Sequence, residues 1–183
     1  MSKRTRRLII YLAASLLFTP NALAGKVESR YISANIPAGV DSYGILMKLN
    51  VMNLAGPDVS SGPGDADVGL ILSETFDAIY IQVSDILDIH MYDFIINIEF
   101  TPTRQELKAL VKEKMGLDVD MPSYYYFNEN TIYLSYEDMT AGMMAHEIAH
   151  AIIARYFVVP PPETVQEILS GYVEYSINKP QEK

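Results

Sequence analysis

Ala145-His146-Glu147-Ile148-Ala149-His150 lies in a segment, Thr140 to Phe157, that reads as a single apolar helix. At helical period His146 and His150 fall one turn apart on one face. Two imidazoles so placed can bind one metal ion, zinc above all, while Glu147 beside them can take a proton from water. From Ala141 to Ala154 nearly every other side chain is apolar, so this helix is expected to be buried. Polar side chains in a buried helix need partners. The chain holds only 3 histidines, and two of them stand here.

Two histidines do not complete a catalytic zinc site, which usually takes three protein ligands and keeps one position for water. The chain has no cysteine. His90, far off before a strand, reads as a surface or loop residue. The third ligand is therefore expected to be a carboxylate of the last helix, Glu163 to Ile177, with Glu163, Glu167 and Glu174 as candidates. On a helical wheel Val165, Ile168, Leu169, Tyr172 and Ser176 share one face, and Glu167, Ser170, Gly171 and Glu174 the opposite one. Thr164-Val165-Gln166-Glu167 also has the form of a capping box. A glycine in mid-helix costs about 1 kcal/mol relative to alanine, so Gly171 implies a packing reason. Ser170 and Gly171 would let this helix approach the histidine helix closely.

His146-Glu147-Ile148-Ala149-His150, followed by Ala151-Ile152, resembles the active-site helix of the zincin metallopeptidases. Glu167-Ile168-Leu169-Ser170 is similar to the gluzincin branch, whose third ligand is a downstream glutamate with a small residue one turn later. The resemblance covers Tyr124 to Ile177 and implies Zn²⁺ on His146, His150 and Glu167, with Glu147 as general base in peptide hydrolysis. Tyr156, Tyr172 and Tyr175 are the candidates it suggests for a donor to the oxyanion. In that family a strand just upstream of the motif lies along the cleft as its upper rim; an edge strand there could pair an extended peptide by strand addition, and an ordinary core hairpin is the other reading. Thr131-Ile132-Tyr133-Leu134-Ser135 stands in that place. The chain departs from the commonest gluzincin pattern: it lacks the Asn-Glu-Gly run, has Ser170-Gly171 where Glu-Gly might align, and has no acidic residue four positions after Glu167.

Working outward, Lys26 to Ile36 reads as a strand ended by Pro37-Ala38-Gly39. Tyr43, Ile45, Met47, Leu49 and Val51 alternate as a second strand would, although Leu46 and Met52 blur the pattern toward a helix. Gly56-Pro57 and Ser60 to Gly64 form a loop. Asp67 can cap a helix whose apolar positions Leu72, Phe76, Ile79, Tyr80, Val83, Ile86 and Leu87 keep the helical period. Phe94 to Phe100 is a strand, and Thr103 to Met115 a helix ended by Gly116. Tyr124 to Phe127 and Thr131 to Leu134 flank Asn128-Glu129-Asn130 as a hairpin. Pro160-Pro161-Pro162 separates the last two helices. The expected class is α+β: a zincin-like domain over residues 25–183, its small mixed sheet carrying an edge hairpin packed on the histidine helix, with a C-terminal ligand helix.

Residues 1–24 read as a signal peptide: a basic start through Arg7, an apolar run from Leu8 to Phe18, then Ala22-Leu23-Ala24 as a cleavage site. That run is too short to span a bilayer, so no stable membrane insertion is expected after cleavage. Removing it lowers Lys+Arg from 14 to 10 against 23 Asp+Glu, a formal charge of −13. Such a surface repels nucleic acid and anionic membranes, which are excluded as partners. A cysteine-free exported chain fits a bacterial envelope. The leading expectation is a periplasmic zinc peptidase acting on a peptide or protein substrate. The alternatives are a non-catalytic zinc-binding assembly module on the same frame and a metal-free structural domain, which stoichiometric zinc would refute. The chain recovered from a periplasmic extract should begin at Gly25, as intact mass will show; a retained leader with membrane fractionation would refute the cleavage site.

Overall fold

The computed structural model describes residues 25–49 and 65–179. The signal-peptide segment, the Gly56–Gly64 loop, Val51 and Met52 lie outside them. The elements in order are β1 (Gly25–Glu28), β2 (Ile32–Ile36), α1 (Ser42–Lys48), α2 (Asp65–Leu87), β3 (Ile96–Thr101) and α3 (Arg104–Met115). They continue with β4 (Ser123–Tyr126), β5 (Thr131–Ser135), α4 (Ala141–Tyr156) and α5 (Glu163–Asn178). This is an α+β domain on a five-stranded mixed sheet of order β1-β2-β3-β5-β4. β2, β3 and β5 run parallel, while β1 and β4 pair antiparallel at the two edges.

The strand expected from Lys26 to Ile36 is instead a hairpin. Ser29 breaks it: its hydroxyl accepts from Ile32 N–H at 3.0 Å and its own N–H donates to Ile32 O at 2.8 Å. The Asp77 carboxylate, on α2, accepts from the backbone N–H of Arg30 (3.2 Å) and Tyr31 (3.1 Å). A turn stabilised from α2 is not visible in its own residues. The strand expected over Tyr43 to Val51 is also corrected, because the described part forms α1. Asp41 caps it, accepting from Tyr43 N–H at 3.1 Å and Gly44 N–H at 3.0 Å. Burial then follows Ile45, Leu46 and Leu49, a helical spacing, while Tyr43 and Met47 face solvent. Asp67 falls inside the first turn of α2, which begins at Asp65, so it is not the cap.

The core lies between the sheet and the layer of α2 and α4. Ile32, Ala34, Ile96, Ile98, Ile132 and Leu134 supply the sheet face; Leu72, Phe76, Ile79, Val83, Ile148 and Ile152 answer from the helices. The opposite face of the sheet is covered by α3, where Leu107 and Val111 pack on Tyr133. α3 has the ends read from sequence, with Thr103 accepting from Glu106 N–H and Gly116 left-handed at φ 71°. β5 is therefore sandwiched: all five residues are buried and both of its edges are paired. Thr131 to Ser135 is an internal strand, and the hairpin's first arm, β4, takes the sheet edge. The reason is the α3 crossover, which returns the chain so that β5 pairs with β3 and displaces β4 outward. No described helix is long and apolar enough to cross a membrane.

The N-cap gives a check on the α1 correction. Asp41→Ala should lower unfolding stability by about 1 kcal/mol in a denaturant titration, while Asp41→Asn should cost far less, since asparagine caps as well. An Asp41→Ala protein as stable as the parent would contradict a helix beginning here.

Candidate metal centre

α4 forms because Thr140 caps it, its hydroxyl accepting from Met143 N–H at 3.1 Å, and because it is apolar on nearly every side. Ten of its residues are buried, Glu147 among them. α5 returns antiparallel after Pro160–Pro162, and the pairing sets a ladder. Gly142 faces Asn178, His146 faces Glu174, and His150 faces Glu167. The close approach is at Gly142, where an added Cβ would collide with the Asn178 side chain. Ser170 is fully buried against α4, as expected of a small residue at the crossing. Gly171 is not: among the described residues nothing lies within 4 Å of where its Cβ would be, so they supply no packing reason for it.

Three side chains converge at the ladder's centre. His146 Nε2 and His150 Nε2 are 3.1 Å apart. Glu167 places Oε2 at 3.5 Å from the first and Oε1 at 3.3 Å from the second. Ligands about 2.0–2.1 Å from a tetrahedral zinc ion stand about 3.3 Å from one another, so this spacing suits a single small cation. His146, His150 and Glu167 are a group that can bind a metal ion. Glu174 is elsewhere on the same imidazole: its Oε2 lies 3.1 Å from His146 Nδ1. With Nδ1–H donating to that carboxylate, the Nε2 lone pair of His146 is left facing the cluster. The two rival glutamates thus have different placements. Glu163 stands exposed in the first turn of α5, outside the cluster.

His150 titrates low, chiefly because burial and then the neighbouring His146 oppose its charge; Glu167, Gln166 and Glu163 pull the other way. A low pKa keeps the imidazole neutral, which is the ligand form. Glu147, 6% exposed, does not join the cluster. Burial pushes its pKa up, and the Glu167 carboxylate adds to that rise. The Ser123 hydroxyl, His146 and the Tyr125 backbone pull it down. Ser123 Oγ–H donates to Glu147 Oε1 at 2.6 Å, which ties α4 to the edge strand β4.

Ser123 is the residue that sequence reading missed. Twenty-four positions upstream of Glu147, it has no local signature, and only the register of β4 brings it in. His90 is an exposed loop residue as expected, its Nε2 3.0 Å from Asp85 Oδ1. Tyr172 and Tyr175 lie on the solvent face of α5, and Tyr156 packs edge-on against Phe157. None of the three is brought among the clustered side chains as an oxyanion donor. Tyr125 is nearer Glu147 through its backbone, but its hydroxyl, pushed up to about 12 chiefly by burial, donates to Asn130 Oδ1. Comparison with family models, characterised proteins and solved structures returns no match for this chain.

This geometry orders the metal-binding defects. His146→Ala, His150→Ala and Glu167→Gln should each lose most of the bound metal after mild chelation, with the melting temperature falling in step. Glu174→Gln should retain the site but weaken it by about ten- to a hundred-fold, the range for a partner that orients a ligand. Metal content per chain by atomic absorption decides between them, and metal lost from Glu174→Gln but kept by Glu167→Gln would reverse the two roles.

Proposed function

We propose that this chain is a zinc-dependent metallopeptidase of the bacterial cell envelope, a small gluzincin-like member of the zincins. The observation that carries the reading is the convergence of His146, His150 and Glu167 beside a separate, buried carboxylate, Glu147. Two neutral imidazoles and one carboxylate, without sulfur, form a donor set that suits zinc. A bound zinc ion acidifies water to a pKa of about 7 and polarises a carbonyl oxygen.

The chain's own groups supply the rest. Glu147 takes a proton at its carboxylate as water attacks the peptide carbonyl, then delivers it to the leaving amine. Burial raises its proton affinity toward what a general base needs, and the Ser123 hydroxyl holds one carboxylate oxygen still. Glu174 fixes the orientation of His146 through Nδ1. Under this reading the free edge of β4, not β5, receives an extended peptide, because β4 ends the sheet and carries Ser123 against Glu147.

The 2.6 Å bond between Ser123 and the buried Glu147 favours a second reading, in which Glu147 is a structural tie and the domain binds zinc without hydrolysis. One variant separates the two. As a general base, Glu147→Gln should keep its zinc and lose about a hundred- to ten-thousand-fold in turnover of a casein or quenched-peptide substrate. Full zinc with no hydrolysis by the wild type across a broad peptide panel would instead support the binding module.

A further inference from the structure

α5 gives Val173 and Ile177 to the core but turns a second set of large apolar side chains away from its own domain. Its buried residues, Ser170 and Val173, face α4 and the core. On the opposite side Val165, Ile168, Tyr172 and Tyr175 are 41 to 66% exposed. Their spacing, three then four then three residues, is that of alternate a and d positions in a coiled-coil seam. Val158 and Val159, more than 80% exposed in the loop before α5, extend the stripe at its N-terminal end. We propose that this face is the interface of an isologous dimer, in which a second copy lays its own α5 along the first.

Two features favour a second copy over other occupants. The positions beside the seam, Thr164, Leu169, Gly171, Ser176 and Asn178, are all uncharged. Along such a face a chain of formal charge −9 can meet itself without opposing carboxylates. A different helix would normally be selected by charges at these same flanks. A lipid surface would call for several lysines or arginines along the stripe, whereas its helical flanks have none and only Arg155 and Lys179 stand at its two ends.

Gly171 is the other feature. It carries the cost of a mid-helix glycine with open space around its Cβ position. Beside the seam, that missing side chain lets a second helix approach. The six apolar side chains expose on the order of 700 Å² per copy, against about 800 Å² a side in a standard interface. Glu167 and Glu174 sit off the seam, toward α4, so pairing leaves the His146–His150–Glu167 group uncovered.

The inference stands independently of catalysis, and its test reads mass. Sedimentation velocity of the purified protein, from micromolar to tenths of millimolar, should show a dimer that dissociates on dilution. Ile168→Glu and Tyr175→Glu should each weaken it by about a hundred-fold or more, because an unpaired charge would be buried in the seam. Metal content, circular dichroism and melting temperature of the isolated monomer should stay close to the parent's, since both positions face solvent. Ile168→Ser, which removes the apolar chain without adding charge, serves if a glutamate variant loses helix. A wild type that is monomeric throughout overturns the proposal, as does dimerisation unchanged in folded Ile168 and Tyr175 variants. A monomeric wild type that floats with phosphatidylethanolamine–phosphatidylglycerol vesicles overturns it too and assigns the face to a lipid surface.

Discussion

The antiparallel packing of α4 against α5 is the constraint on which the rest of this domain depends. Each helix alone presents a histidine pair or a set of glutamates. Only the pairing places Glu174 level with His146 and Glu167 level with His150. Pro160–Pro162 makes the reversal, and buried Ser170 with Gly142 allows the helices to approach. The cluster therefore inherits its geometry from backbone packing and needs little side-chain adjustment.

That packing has an electrostatic cost. α4 is buried along most of its length, yet carries a carboxylate, Glu147, into the buried part and two partly buried imidazoles toward α5. An isolated ionised carboxylate would not survive there without partners. Glu147 has the Ser123 hydroxyl, His146 and the Tyr125 backbone to offset burial, and β4 supplies two of these. The sheet edge is thus fastened to α4 through a polar bond rather than through apolar contact alone. His146 is held in turn from α5, so each face of α4 has its own support for one functional side chain.

The same helix pair has an inner, polar edge and an outer, apolar one. α5 gives the first to the metal cluster and leaves the second uncovered by any described residue. A wheel drawn from the sequence sets Glu167 and Glu174 apart from Val165, Ile168 and Tyr172, but it groups Ser170 and Gly171 with the glutamates, whereas Ser170 is buried and Gly171 lies open beside the apolar stripe. It cannot say which one the domain buries. The core requirement goes to Ser170 and Val173, between the two faces, and the apolar stripe is left outside.

By itself the sequence determined what local periodicity and local chemistry can specify. α2, α3, α4 and α5 were legible because their apolar spacing and breakers are contiguous, although Asp67 does not cap α2 and α5 starts at Glu163 with Pro162 before it rather than on a Thr164 capping box. His146, Glu147 and His150 were legible because one helical turn sets their relation. Tertiary structure alone decided whatever depends on contacts distant along the chain. Asp77 makes the turn that splits β1 from β2, and the α3 crossover buries β5 and leaves β4 at the edge. Ser123 reaches Glu147 only through that strand order. Glu167 and Glu174, seven residues apart on one helical face, differ in place because an antiparallel partner offers them different nitrogens of its histidines. Sequence spacing records the face a side chain occupies, but the atom it meets is set by the element packed opposite.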